Sequence, residues 1–270
     1  MAKPSQRTTF IITVVILGAV ILALIAGLVY ASVSVAQAAE IKPAYGSPYE
    51  WDATMFPTCR VASLPLGVSR TTMSDSPILD VLDNFLSPQE AEEIIALAND
   101  RFARSAVVDP STGTQKPDAT RTSSTVFLDK SENELVRRIE ERAAKAAGLP
   151  ATFLERLQVT RYLHGQFYRP HFDYLPETPD VLANGQRAVT IFAYLADLPE
   201  EETGGATAFP KLGLKIRPKK GKAVLWHNMD HTGKVDPRTL HGGEEVLLPH
   251  SVKYGLNIWF RTKPQAHLQT

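Results

Sequence analysis

His171 and Asp173, in the stretch YRPHFDYLP, are separated by one residue. In an extended chain residues i and i+2 point to the same face, so the two side chains can meet one cavity. An imidazole nitrogen and a carboxylate oxygen are two of the three ligands of the 2-His-1-carboxylate triad, which leaves positions open for co-substrate and dioxygen and suits Fe(II). The doublet alone is equally an ordinary strand with polar residues on its exposed face. A third ligand decides between the two, and His241, in RTLHGGEEVLLP, is the best candidate. It follows a loop and opens another expected strand, and the 68 residues from Asp173 leave room for intervening strands to bring it back beside the pair. His227 and His231 sit in a strand end and turn, His250 in a Pro-His-Ser turn, and His164 and His267 lack partners.

The segment KYGLNIWFR adds independent support. As a strand it puts Lys253, Gly255, Asn257, Trp259 and Arg261 on one face and Tyr254, Leu256, Ile258 and Phe260 on the other. The second set is a packing face. The first combines two cations, an amide and an indole, and lines either a polar cavity or solvent. A cation twelve residues after His241 can pair with the far carboxylate of a dicarboxylate held on the metal.

The elements that must position these residues are helices first and strands afterwards. Ile78 to Val81 reads as a short strand. Ser87 with Pro88 behind it then opens a helix with an apolar stripe of Ala91, Ile94, Ile95 and Leu97. DKSENELVRRIEERAAKAAGLP is a second helix ending at Gly148. Between them, Val107 to Ser124 is a polar loop, either a mobile cover over a groove or a plain surface loop, with Arg121 as a loop-ordering cation or a solvated charge. After Leu154 come short strand-like runs, LQVTRYL, AVTIFAYLA, KAVLWHN, EEVLLP and KYGLNIWFR, set apart by Gly/Pro/Asp clusters. This order implies an α+β domain on a sandwich or barrel-like core, over residues 78–263.

With 29 basic and 29 acidic residues the chain has no formal net charge, which gives no electrostatic reason to expect nucleic acid as a partner. One cysteine, Cys59, excludes an internal disulfide framework and multi-cysteine metal sites. Residues 10–31 form a run of 22 without a charge, enough for a single membrane-spanning helix. Lys3 and Arg7 precede it and place the N-terminal residues 1–9 in the cytoplasm. The expectation is a single-pass type II anchor, a stalk over 32–77, the domain in a lumen (endoplasmic reticulum or Golgi) or otherwise extracytoplasmic, and a tail over 264–270. A secretory peptide cleaved near Ala36–Ala38 is the competing reading.

The chain is similar to the prolyl 4-hydroxylase alpha-subunit family of Fe(II)/2-oxoglutarate dioxygenases. The resemblance runs from Ile78 to Lys263 through DNFLSPQEAEEIIALA, RFARSAVVDPSTG, LQVTRYLHGQFYRPHFDY, GGATAFP, PKKGKAVLWHN and LHGGEEV followed by KYGLNIW. It implies a double-stranded β-helix (jelly-roll) core with flanking N-terminal helices, and His171, Asp173 and His241 on iron. It also implies Lys253 on the far carboxylate of 2-oxoglutarate, with Tyr162 and Thr207 as hydrogen-bonding partners, and Tyr168, Arg187 and Trp259 against a peptide substrate. The implied reaction is hydroxylation of peptidyl proline with ascorbate as reductant. Alternatives are the same chemistry on another side chain or a small molecule, or a non-catalytic binding module. Two features depart from the pattern: the His241 to Lys253 spacing is longer than usual, and Arg261 stands where peptide-proline hydroxylases often carry a histidine. Arg261 is therefore a second candidate for the carboxylate anchor.

Overall fold

A computed structural model describes residues 60–61, 63–108, 114–230 and 232–265. The proposed membrane segment, the stalk up to residue 59, Cys59, His231 and residues 266–270 of the C-terminal tail lie outside the described residues. Among those described, no helix is long and apolar enough to cross a membrane.

Among the described residues, seventeen α-helices and β-strands form the domain. In chain order they are β1 (Ser69–Asp75), β2 (Ile78–Asp83), α1 (Pro88–Ala98), β3 (Ala103–Arg104), β4 (Ala106–Val108), β5 (Gln115–Pro117), β6 (Ser124–Leu128) and α2 (Glu134–Ala147). They continue with β7 (Leu157–Tyr162), β8 (Tyr168–His171), α3 (Pro179–Asn184), β9 (Arg187–Tyr194), β10 (Thr207–Phe209), β11 (Leu214–Ile216), β12 (Ala223–His227), β13 (His241–Gly243) and β14 (Lys253–Arg261). Eight strands make the major sheet in the order β1-β2-β12-β9-β14-β7-β6-β3, and four make the minor sheet, β11-β10-β13-β8. Neighbouring strands run antiparallel throughout both sheets.

The period of two along each strand divides the major sheet into two faces of different chemistry. Ile78 and Leu82, Val189, Ile191 and Ala193, Ala223 and Leu225, and Leu256, Ile258 and Phe260 join α1 and α2 in one apolar cluster. The alternate residues Leu79, Val81, Phe192, Tyr194, Val224 and Trp226 pack with Phe209 and Ile216 of the minor sheet. The result is three layers, helices on sheet on sheet, with the polar cavity between the two sheets. This is the jelly-roll arrangement that the resemblance implies.

Local chemistry accounts for the helices. Ser87 Oγ accepts from the Glu90 amide while the Glu90 carboxylate accepts from the Ser87 amide, closing a capping box with Pro88 at the first position. Gly148 ends α2 with φ at 69°, in the left-handed region open to glycine.

Two expectations change. EEVLLP is not a strand: β13 stops at Gly243, and the following residues form a loop. The buried Glu202 carboxylate holds this loop by accepting from the Leu247 and Leu248 amides at 2.9–3.2 Å. The alternation in that stretch therefore serves loop packing, not a ladder. The sheet also begins earlier than Ile78, because Ser69–Asp75 pairs with β2 and belongs to the domain rather than to a stalk. Its mostly exposed side chains at the sheet's edge carry no apolar stripe to reveal it. Arg60 fastens the chain just ahead of it, donating from Nε to Asp80 at 2.8 Å.

Ile258, fully buried in the helix-facing cluster, tests this layering. Ile258→Ala is expected to lower the unfolding free energy by about 2–5 kcal/mol, read from the midpoint of urea denaturation with the slope unchanged.

Candidate active site

β8 and β13 lie side by side with His171 opposite His241, which brings together two residues 70 positions apart in the chain. Asp173 lies two residues on, just past the end of β8 rather than within it. One ligand atom from each of the three falls within 4.8 Å of the others. His171 Nε2 is 3.8 Å from Asp173 Oδ1, and His241 Nε2 is 3.7 Å from Asp173 Oδ2.

Both imidazoles are oriented from behind. His171 Nδ1 lies 2.9 Å from the Arg169 carbonyl and His241 Nδ1 lies 2.9 Å from the Thr239 carbonyl. A carbonyl only accepts, so each Nδ1 carries the proton and each Nε2 offers its lone pair to the cavity. The Tyr168 ring stacks on His171 at 3.5 Å and 17°. Trp226 meets His241 edge-on at 4.7 Å. Desolvation, then the neighbouring His241, pushes His171 down to about 3, so the ring is neutral at ordinary pH. Burial opposes ionisation of Asp173, yet His241, His171, Arg187 and the Thr190 hydroxyl outweigh it and hold its carboxyl below the usual range. Two imidazole nitrogens and one carboxylate at this separation fit Fe(II).

The triad opens into a cavity of about 320 Å³. All nine residues singled out from the sequence line it: His171, Asp173, His241, Lys253, Tyr162, Thr207, Tyr168, Arg187 and Trp259. Lys253, Tyr162 and Thr207 close one end. The Lys253 side chain is 1% exposed, its Nζ is 3.5 Å from the Ala206 carbonyl, and the Tyr162 and Phe192 rings flank it. Among the described residues no carboxylate lies within ion-pair distance of it. Burial pushes its pKa down to about 7, with only the more distant Glu244 opposing. The Tyr194 hydroxyl lies 2.8 Å from Thr207 Oγ1 and 3.2 Å from the Ile216 carbonyl, which fixes the threonine beside the cavity. A buried ammonium without a counter-charge is what an incoming carboxylate would complete.

Arg187 and Trp259 form another wall, the guanidinium lying over the indole at 3.6 Å. Arg261 is not part of the lining. Its Nε reaches Glu155 at 2.5 Å and its Nη2 reaches Asp180 at 3.0 Å, while Arg187 clasps the same Glu155 at 2.7 and 2.8 Å. Arg261 thus supports the wall, and Lys253 is the cation left to anchor a dicarboxylate. Arg121 is buried, not solvated: it donates to Gln158 Oε1 at 2.9 Å and lies over the Tyr168 ring at 4.7 Å.

Three contributors were not singled out from the sequence: Thr190, Glu155 and Gln158. Thr190 donates to Asp173 Oδ2 at 2.8 Å. In AVTIFAYLA it shares its face with Phe192 and Tyr194, and nothing local marks it as the partner of Asp173. Glu155 and Gln158 work through arginines distant in sequence, so no local spacing marks them.

The 2OG-Fe(II) oxygenase superfamily model matches residues 157–261. Prolyl 4-hydroxylase 1 of Arabidopsis thaliana is 39% identical over 211 residues, 73% of this chain and 73% of that protein. This chain belongs to the prolyl 4-hydroxylase family. The prolyl 4-hydroxylase subunit alpha-2 of Gallus gallus is 35% identical over 72% of this chain and 36% of its own length. The crystal structure of a viral collagen prolyl hydroxylase from Paramecium Bursaria Chlorella virus-1, solved as a 2OG complex, superposes with a TM-score of 0.54. It is 28% identical over 68% of this chain and 95% of that one.

The depressed Lys253 pKa sets a pH dependence. Pairing with a carboxylate needs the charged ammonium, which the ligand-free protein loses as pH rises through about 7. The half-saturating concentration of 2-oxoglutarate is expected to be flat below that pH and to climb about tenfold per unit above it, measured by succinate release. In the ligand-free protein the sign is opposite for stability. Between about 7 and 10.5 the unfolded chain keeps a proton that the folded one lacks, so stability rises with pH across that window. Lys253→Met removes that contribution to the rise in urea denaturation.

Proposed function

We propose that this chain hydroxylates peptidyl proline at C4, consuming O₂ and 2-oxoglutarate and releasing succinate and CO₂. One observation carries the reading: two imidazoles and a carboxylate converge in a cavity closed by a buried lysine that has no counter-charge among the described residues. An Fe(II) held by His171, Asp173 and His241 would supply O₂ activation and the oxidative decarboxylation. Lys253 draws the far carboxylate of 2-oxoglutarate to the closed end, with Tyr162 and Thr207 offering hydroxyls beside it. Phe192 and Trp226 in the lining keep water from that end. Tyr168, Arg187 and Trp259 present flat aromatic and guanidinium surfaces, which suit a proline ring and the carbonyls of an extended peptide. Val107, Thr120 and Arg121 also line the cavity, which supports the segment they belong to as its cover.

The wider assignment belongs to the same proposal. Ascorbate is the reductant, and the 22 uncharged residues at 10–31 behind Lys3 and Arg7 anchor the chain as a type II membrane protein. The domain then acts on proteins in a lumen or other extracytoplasmic space.

The full chain, given Fe(II), ascorbate, 2-oxoglutarate and a panel of proline-rich peptides, is expected to release succinate and add one oxygen atom to a proline. Succinate without peptide modification points to another substrate, and a protein that shows no turnover and binds no metal overturns the enzyme reading. His171→Ala and Asp173→Ala each abolish turnover. Lys253→Ala raises the 2-oxoglutarate requirement about 10- to 100-fold, from the ~1.5–3 kcal/mol of a hydrogen bond to a charged group. An unchanged requirement assigns the anchor to another residue.

A further inference from the structure

Behind the Asp173 carboxylate runs a row of buried polar groups that starts at Trp226 in the cavity lining. Trp226 Nε1 donates to Asn228 Oδ1 at 2.8 Å, and Asn228 Nδ2 donates to Thr190 Oγ1 at 2.9 Å. Thr190 in turn donates to Asp173 Oδ2 at 2.8 Å, where Trp259 Nε1 also donates at 3.0 Å. Trp226, Asn228 and Thr190 are each at most 1% exposed.

The direction of this row is fixed from its far end. An indole N–H can only donate, so the Asn228 oxygen must accept and its NH₂ must face Thr190. With the threonine oxygen accepting, its single proton goes to Asp173 Oδ2. Two donors then occupy Oδ2, and Oδ1 keeps its lone pairs for a metal.

Asn228 also reaches the third ligand. The Trp226 ring it fixes packs against His241. Its own carbonyl accepts from the Asp236 amide at 3.0 Å. Asp236 caps the short 3-10 turn Pro237–Thr239, whose last carbonyl orients His241 Nδ1.

We propose that Asn228 is a positioning residue that sets the polarity of a one-way hydrogen-bond relay onto Asp173, so that the carboxylate presents Oδ1 alone to the metal. The inference rests on the reading of His171, Asp173 and His241 as a metal site. Loss of such an outer partner typically costs about 10- to 100-fold in metal affinity.

Asn228→Asp tests it with shape nearly unchanged. A carboxylate at this position has no donor for Thr190 and competes for its one proton, which turns a lone pair toward Asp173 Oδ2. An added negative charge by itself would tighten cation binding, so the relay and simple electrostatics predict opposite signs.

Co(II) titrated into the full chain, followed by its visible absorption and by calorimetry, should bind Asn228→Asp about 10- to 100-fold more weakly than wild type. Thr190→Val should show the same loss without added charge, and Thr190→Ser should restore wild-type affinity. In the Thr190→Val background, Asn228→Asp should cause no further loss. No Co(II) binding by the wild type defeats the metal-site reading itself. Equal or tighter binding by Asn228→Asp, equal binding by Thr190→Val, or a further loss of similar size in the double variant overturns the relay. Should Asn228→Asp fail to fold by circular dichroism, the Thr190→Val and Thr190→Ser pair still decides.

Discussion

Asp173 is a carboxylate that has to stay ionised, hold one orientation and remain almost wholly out of water, and the rest of the domain is arranged around that demand. Burying an ion costs several kcal/mol after relaxation. A hydrogen bond to a charged group returns about 1.5–3 kcal/mol, so the Thr190 and Trp259 donors on Oδ2 offset much of that cost before any metal arrives. Both donors come from the major sheet, on the face turned from the helices. The apolar face of β9 and β14, packed on α1 and α2, is what keeps them in register. Core packing on one side of the sheet thereby fixes the electrostatics on the other.

Lys253 shows the opposite choice. It is buried as deeply as Asp173, but no partner among the described residues neutralises it. The native state carries that cost, visible as a pKa drawn down to about 7. Where the chain satisfies Asp173 from within, it leaves Lys253 to be satisfied from outside. Such an asymmetry selects a ligand that brings a negative charge to the closed end of the cavity and an oxygen donor to the triad. Local rules broken at a buried position, with neighbours otherwise satisfied, are the mark of a binding site rather than of poor packing.

What the sequence made legible follows from how far each constraint reaches along the chain. Ser87, Pro88 and Glu90 mark a helix start within four residues, and Gly148 marks a helix end alone, because caps are local chemistry. KYGLNIWFR displays both faces of β14 because a central strand with one apolar and one polar side alternates cleanly. The minor sheet was mostly hidden: β10, β11 and β13 are three residues each, too short for a period to show. EEVLLP misled because its alternation serves a loop held by Glu202. At the site, His171, Asp173, His241 and Lys253 stood out because their types are rare on a buried face. Thr190 and Gln158 did not, since a threonine or glutamine inside a strand is unremarkable until its partner is known.

Arg261 shows how a departure from a family pattern acquires a physical meaning. As a sequence feature it was a rival anchor for the co-substrate, since it shares a strand face with Lys253. In the fold it is drawn off the cavity by Glu155 and Asp180, and the glutamate passes the effect to Arg187. Glu155 stays below the usual carboxylate range, against its burial, because two arginines hold it. Arg187 in turn lies on Trp259, whose indole N–H reaches Asp173. A cation that never touches the cavity is therefore coupled, through one carboxylate and one cation–π contact, to the residue on which the metal site depends. Cavity wall and Asp173 are mechanically one unit here, so a change at position 261 is passed through Glu155 and Arg187 to Trp259 and the Asp173 oxygen it donates to.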